Sequence, residues 1–164
     1  MAECARELGL DDVVAIAQAE WQSAQNDRQQ NTETISSWLK AYETYPYATY
    51  IWLYLTRTMG YSDIVAAGVL GNIMAEVGGG TLHIRHWLYG FDDPDYYGMC
   101  QWHKNWYSEV MGTDLIYQCD FLASTIVGAM DRYETFLNAS NPAEASLIFA
   151  QEYEKCASYT YQCR

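Results

Sequence analysis

Hydrophobic residues recur at helical spacing over much of this sequence. One such stretch runs from Tyr47 to Met59 and predicts an amphipathic helix. Its apolar face follows the pattern i, i+1, i+4, i+5 and consists of Tyr50, Ile51, Tyr54 and Leu55. We predict that Gly60 ends this helix, because glycine readily adopts the left-handed conformation of a C-cap.

A second helix is predicted to begin after Ser62, a residue type that caps helix N-termini, with Asp63 in its first turn. Its apolar face consists of Val65, Val69, Ile73 and Met74. The run Gly78–Gly80 is predicted to end the helix, since three consecutive glycines make its continuation costly.

Three further helices are predicted over about residues 114–127, 129–138 and 142–156. The last has the clearest start, with Asn141 as N-cap, Pro142 at the first helical position and Glu144 at the third. In contrast, Thr81–Tyr107 follows no clean period and contains an Asp-Asp-Pro-Asp turn and Gly98. We predict a loop or small hairpin lobe there, and hence an α+β fold that is predominantly helical.

The composition changes near Thr32. Residues 11–24 have helical spacing, whereas Gln22–Thr34 is polar and rich in Gln and Asn, which predicts a linker or exposed loop. We therefore predict an N-terminal helix and polar linker over residues 1–31, followed by one compact domain over residues 32–164.

The charge balance excludes several classes of protein. The chain has 164 residues, half of them hydrophobic, with 21 acidic and 9 basic residues and a net charge of −12. The hydrophobic content excludes wholesale disorder. The acidic excess argues against nucleic-acid binding, which needs clustered Lys and Arg, and against a polybasic membrane-surface protein.

The start of the chain, with Glu3 and Glu7, has no apolar run of signal-peptide length, and no stretch approaches about 18 apolar residues. We therefore predict neither a signal peptide nor membrane insertion. The five cysteines include no CxxC pair, which does not favour a zinc site. No metal or other cofactor is predicted, and the disulfide state stays open.

Glu76 is the first candidate for chemistry, because it lies in the last turn before the glycine run. The negative end of the helix dipole favours the protonated form of a carboxyl group, which is the form that a general acid needs. The glycines permit close approach of a ligand. An ordinary solvated glutamate at a helix end is the alternative.

A second candidate cluster follows in the aromatic-rich segment. Gly98 permits a turn beneath a substrate, Gln101 offers an amide, and aromatic faces come from Tyr97, Trp102 and Trp106. Aromatic side chains make up 15% of the chain, and sugars bind through such rings together with amide and hydroxyl groups. The alternative is that these rings fill the core of the lobe.

These residues carry a family resemblance. Ile64–Glu76 resembles the helix "aaGilGNixxES" that ends in the catalytic glutamate of the phage tail lysozyme family. Gly98–Trp102, Gln118–Leu122 and Phe149–Glu154 resemble its later motifs "G-[LI]-x-Q-W", "QLdFL" and "FxxxfE". Gly98–Gln101 is also similar to the Gly-Leu-Met-Gln motif of lytic transglycosylases, which share the lysozyme-like fold. The resemblance spans roughly residues 49–156.

The resemblance implies a lysozyme-like, phage-associated, bacteriolytic enzyme that cleaves the β-1,4 bond between N-acetylmuramic acid and N-acetylglucosamine in peptidoglycan. It implies that Glu76 is the general acid and that Gln101 and Trp102 line the facing cleft. Other phage-tail or wall-binding modules are expected partners. One departure is Val77, where the family usually has a serine that orients the acid.

Glycosidases normally use a second carboxylate. Asp92, Asp93 and Asp95 are the candidates, unless they form only a solvated acidic turn. If none of them serves, Glu76 acts alone as acid and then base, which is transglycosylase chemistry with an anhydro product. A non-catalytic peptidoglycan-binding or structural phage-tail module is the remaining alternative.

Overall fold

The computed structural model describes residues 39–84 and 94–155, together with scattered positions between 22 and 37. The chain divides into two units, Met1–Ala41 and Tyr42–Arg164. In the first unit, the described positions between Gln22 and Lys40 are helical and exposed. Gln22–Thr34 is therefore helical rather than irregular at those positions, and the boundary between residues 31 and 32 stays a prediction.

The second unit is mainly helical, which confirms the predicted α+β class. Its α-helices, numbered within this unit, are α1 (Pro46–Leu53), α2 (Asp63–Val77), α3 (Leu115–Ala129), α4 (Tyr133–Leu137) and α5 (Pro142–Glu152). A 3₁₀ turn at Ser108–Val110 precedes α3. Strands β1 (Tyr96–Tyr97) and β2 (Trp102–His103) form the hairpin. The predicted hairpin lobe is thus confirmed, although residues 85–93 lie outside the described part.

The helix starts follow the cap residues of the sequence. The Ser62 Oγ accepts a hydrogen bond from the Val65 backbone N–H (3.3 Å), and the Asn141 side chain accepts one from the Glu144 N–H (3.0 Å). Each cap satisfies an N–H that has no partner within its own helix. Helix α5 ends at Glu152, about one turn earlier than predicted.

The first predicted helix contains a departure from α-geometry. After Leu53 the chain makes one turn of π-helix over Tyr54–Thr58, in which the Met59 N–H donates to the Tyr54 carbonyl (3.0 Å). Gly60 follows with a φ of +71°, the left-handed conformation predicted for it. The turn still buries Leu55, so the apolar face continues through it.

Helices α2 and α5 pack against each other at very short range. A Cβ on Gly68 would lie only 2.7 Å from both the Ala145 Cβ and the Ser146 backbone nitrogen. The buried Asn72 side chain, one turn later, donates to the Ser146 carbonyl (3.0 Å) and hydroxyl (2.8 Å). Glycine at position 68 permits the close contact, and the Asn72 amide fixes the register of α2 against α5.

The core between the helices is apolar and aromatic. Val65, Val69 and Ile73 of α2 are fully buried, as their spacing predicted, and Phe149 of α5 stacks on Tyr153 with ring centroids 5.0 Å apart. The core includes two free thiols, Cys100 and Cys119. No helix of the described residues is long and apolar enough to cross a membrane.

The contact at Gly68 gives a matched pair of glycine substitutions. We expect Gly68→Ala to lower the free energy of unfolding by about 1–3 kcal/mol, because the new methyl group overpacks the interface with α5. Gly71→Ala, in the same helix, places its Cβ where no atom lies within 4 Å. We expect it to raise the free energy of unfolding by roughly 0.5–1 kcal/mol, since alanine favours the helix.

Urea unfolding followed by circular dichroism measures both variants. Equal effects of the two substitutions would contradict the close approach of α5 to α2.

Candidate functional site

Glu76 lies in the last turn of α2 and is partly exposed. The helix closes immediately behind it, because the N–H groups of Gly78 and Gly80 both donate to the Met74 carbonyl (2.9 and 3.0 Å). Gly79 and Gly80 have φ values of +59° and +79°. The predicted end of the helix at the glycine run is therefore confirmed, and it presents Glu76 at a sharp turn.

The turn itself requires glycine at its first position. A Cβ on Gly78 would lie 2.4 Å from the Thr81 carbonyl oxygen, and the Thr81 hydroxyl donates back to the Gly78 carbonyl (2.9 Å). Val77, between Glu76 and this turn, is 1% exposed and belongs to the core. Its apolar side chain suits that environment, in which a serine hydroxyl would need a buried partner.

The second cluster is built around the turn that joins β1 to β2. The Gln101 backbone N–H and its side-chain Nε2 both donate to the Gly98 carbonyl (3.0 and 2.9 Å). Gln101 has a φ of +49°, an uncommon conformation for a residue other than glycine. The side chain thus folds over its own turn and is partly exposed.

A buried amide from α3 holds this turn in place. The Gln118 Oε1 accepts from the Met99 backbone N–H (2.9 Å), and its Nε2 donates to the Thr113 carbonyl (3.1 Å). The Tyr97 hydroxyl donates to the same carbonyl (3.2 Å). A Cβ on Gly98 would lie 2.6 Å from the Gln118 Oε1, so the turn and the amide fit only with glycine.

Gln118 was missed as a site-building residue by the sequence analysis. It stood in the Gln118–Leu122 motif, but the motif alone carried no information about which backbone group the amide meets. Its complete burial identifies it, because a buried amide requires specific partners.

The predicted aromatic residues divide between the core and the surface. Trp102 is 4% exposed, its Nε1 donates to the Tyr153 hydroxyl (3.1 Å), and its ring meets Phe121 edge-on at 5.4 Å. It therefore offers no open stacking face, and the alternative of a core residue fits it. Tyr97 is partly buried, whereas Trp106 is 75% exposed.

The candidate second carboxylates are only partly described. Asp92 and Asp93 lie outside the described residues. Asp95 forms an ion pair with Lys104 across the open end of the hairpin, and the Lys104 backbone N–H donates to the Asp95 carbonyl (2.8 Å). The side-chain hydrogen bond from Lys104 lowers the pKa of Asp95, so this carboxyl group is held in its ionised form.

A tyrosine–carboxylate pair near the start of α3 also escaped the sequence analysis. The Tyr54 hydroxyl, in the π-turn, donates to the Asp120 carboxylate (2.5 Å), and the ring of Tyr50 lies 6.4 Å from that of Tyr54. Burial raises the pKa of Tyr54, and the hydrogen bond to Asp120 raises it further, so the hydroxyl keeps its proton. The two residues are 66 positions apart, which local patterns do not connect.

The described residues contain no group of three or more His, Cys, Asp or Glu that could hold a metal ion. His83 packs its ring edge-on against Tyr45, with centroids 4.8 Å apart.

Comparison with known proteins identifies the family of this sequence. The model of the phage tail lysozyme family matches residues 46–164, which include every candidate residue of the site. No curated protein and no solved structure matches the chain. The match confirms the resemblance drawn from the motifs, and it indicates a lysozyme-like action on peptidoglycan and an association with phage.

The fit between Gly98 and Gln118 can be tested with two glycines of the same backbone conformation. Gly98 and Gly112 have φ values of +77° and +76°, but a Cβ on Gly112 would have no atom within 4 Å. Alanine costs roughly 1–2 kcal/mol at either position for its left-handed backbone. We expect Gly98→Ala to cost about 1–3 kcal/mol more, because it also displaces the Gln118 amide.

Chemical denaturation measures this difference. Amide hydrogen exchange at Met99 should accelerate in Gly98→Ala alone, and equal protection in both variants would argue against the proposed anchoring of the turn.

Proposed function

This chain belongs to the phage tail lysozyme family, and from that premise we propose that it is a muramidase. It cleaves the β-1,4 bond between N-acetylmuramic acid and N-acetylglucosamine in peptidoglycan. Glu76 acts as the general acid and donates its proton to the glycosidic oxygen as the bond to that oxygen breaks.

The position of Glu76 carries this proposal. It is a partly exposed carboxyl group in the last turn of α2, beside a glycine turn in which Gly78 has no room for a side chain. It also aligns with the catalytic glutamate of the family motif. Helix α2 is anchored to α5 through Gly68 and Asn72, and such rigid support is what a general acid needs to stay aligned with its substrate.

The second carboxylate is proposed to come from Asp92, Asp93 or Asp95. Asp95 is held ionised by Lys104, and the ionised form is the one that acts as a nucleophile or base. A separation of about 5 Å from the Glu76 carboxyl group would predict retention of the anomeric configuration, and about 6.5–9.5 Å would predict inversion.

A transglycosylase reaction is the second candidate, and the ion pair of Asp95 favours it. Lys104 stabilises the charge of this carboxylate and lowers its pKa, which makes it a weaker base and nucleophile toward water or a sugar. If neither Asp92 nor Asp93 takes its place, Glu76 acts first as acid and then as base. The 6-hydroxyl group of the substrate then forms the anhydro product.

The substrate contacts are proposed to come from the hairpin. Gln101 is partly exposed and offers its carboxamide to sugar hydroxyl or acetamido groups, while Gly98 leaves room for the Gln118 amide that holds the turn. Trp106 offers an open ring. Tyr97 and Trp102 contribute by supporting the turn, because one is bound to Thr113 and the other is buried.

The acid role of Glu76 is tested with Glu76→Gln, which keeps the size of the side chain and removes the proton. We expect the clearing of a suspension of purified cell walls to slow by at least about 100-fold, the usual contribution of a general acid. The melting temperature should stay within about 1–2 °C of the parent, since the side chain is partly exposed.

Glu134→Gln is the matched control, because it makes the same change at an exposed position on α4. It should leave wall clearing unchanged. Retained activity in Glu76→Gln would exclude Glu76 as the acid. A parent protein that sediments with walls but releases no sugar ends would instead be a binding or structural module.

Mass spectrometry of the released muropeptides separates the two reactions. We expect hydrolysis to give reducing N-acetylmuramic acid ends, because water attacks the sugar. Products lighter by one water molecule, which resist borohydride reduction, would identify the transglycosylase reaction instead.

A further inference from the structure

The β-hairpin carries aromatic side chains on both of its faces. Cross-strand partners share a face, so Tyr97 and Trp102 form one pair and Tyr96 and His103 form the other. The first pair faces the core, where Trp102 is 4% exposed. Burial in the core therefore explains the rings on that face, whereas the rings on the opposite face lie outside the core.

The opposite face, which we call the outer face, consists of Tyr96, His103 and Trp106. Tyr96 is 39% exposed and Trp106 is 75% exposed. The His103 ring lies between them, with its centroid 4.9 Å from each of the other two. The three adjoining rings thus form one aromatic cluster, in which Tyr96 and Trp106 are exposed and His103 is partly exposed, and a cluster of exposed rings is a candidate binding surface.

The outer face is held rigidly. The Trp106 and Tyr107 backbone N–H groups both donate to the His103 carbonyl (3.1 Å each), and the Asn105 N–H donates to the His103 Nδ1 (3.2 Å). Lys104 and Asp95 close the open end of the hairpin with an ion pair. Binding therefore orders few groups, which reduces its entropic cost.

The charge and the size of the outer face indicate which kind of ligand it can bind. Residues 95–106 contain one carboxylate and one ammonium group, those of Asp95 and Lys104, and these are paired with each other. With histidine counted as neutral, the segment has no net charge that would attract a charged ligand. Three rings are also far smaller than the roughly 800 Å² per partner of a stable protein interface, but they match one or two sugar rings, whose C–H faces pack on aromatic planes.

We propose that the outer face is an accessory glycan-binding surface that holds a segment of the wall glycan strand by stacking. This inference rests on the proposed function for the identity of the polymer. It extends the contact proposed for Trp106 to a surface of three rings, in which the Tyr96–His103 pair lies one register step further from the Gly98–Gln101 turn. Its role is retention of the polymer.

The test measures binding without cleavage, in the full chain carrying Glu76→Gln. The probe is the β-1,4-linked tetrasaccharide of N-acetylglucosamine, titrated by isothermal calorimetry, and purified sacculi are used in parallel for sedimentation. We expect Trp106→Ala to raise the dissociation constant for the tetrasaccharide about five- to tenfold, as the loss of one aromatic stacking contact predicts. Trp106→Phe should recover part of that loss.

His103→Ala should weaken binding by a smaller factor, because the ring supports Trp106 from one side. Leu147→Ala is the control: it removes an exposed apolar side chain of α5 that is 41% exposed and should leave binding unchanged. The melting temperature of each variant shows that a loss of affinity does not come from unfolding.

Unchanged tetrasaccharide affinity in Trp106→Ala would overturn the proposal. So would binding that depends on Trp106 for sacculi but is absent for the tetrasaccharide, since the face would then recognise the peptide stems. Failure of the proposed catalysis is seen separately: Glu76→Gln would still cleave walls, whatever the result at Trp106.

Discussion

The approach of α5 to α2 at Gly68 is the contact on which the rest of the second unit depends. It brings two backbones together so closely that even a methyl group would not fit. Asn72 then fixes the register of the two helices, because its amide donates to the carbonyl and the hydroxyl group of Ser146. Glu76 follows Asn72 by one helical turn and lies on the same side of α2. The buried contacts between α2 and α5 thereby fix the position of the Glu76 carboxyl group without the help of a ligand.

The hairpin is held in place in the same way, by a buried side-chain amide next to a glycine. A fully buried amide, here Gln118, meets backbone groups that no regular ladder would satisfy, and glycine at position 98 provides the space for it. A buried polar side chain is costly unless its partners are in place, so each amide permits only one arrangement of the segments it joins. The family motifs around Asn72 and Gln118 are therefore largely structural: they specify how the site is held.

The sequence predicted what local chemistry controls. Ser62, Asn141 and the glycine run mark helix ends through backbone groups only a few residues away, and the structure confirms all three. The π-turn after Leu53 was not predicted. It leaves the apolar face of the helix continuous, so the spacing of hydrophobic residues does not reveal it. Tyr54–Asp120 and Gln118–Met99 join distant positions, which no local pattern reveals. The helical conformation of the described positions of Gln22–Thr34 was missed because Gln and Asn composition favoured a linker.

The net negative charge of the chain is a further argument that the proposed glycan ligand is recognised through short-range contacts. Bacterial walls are themselves anionic, so a protein with a net charge of −12 gains no long-range attraction to them. At physiological ionic strength, the repulsion between the protein and the wall is screened beyond about 8 Å. Only a protein surface that touches the wall therefore needs to be without excess negative charge. The hairpin meets that condition, because its one acidic side chain is paired with Lys104 and its outer face is aromatic. Successive side chains of a strand point to opposite faces, so the hairpin is anchored to the core through Trp102 while Tyr96 and His103 lie on its other face. The glycan-binding surface proposed for that face therefore does not compete with the contacts that stabilise the hairpin.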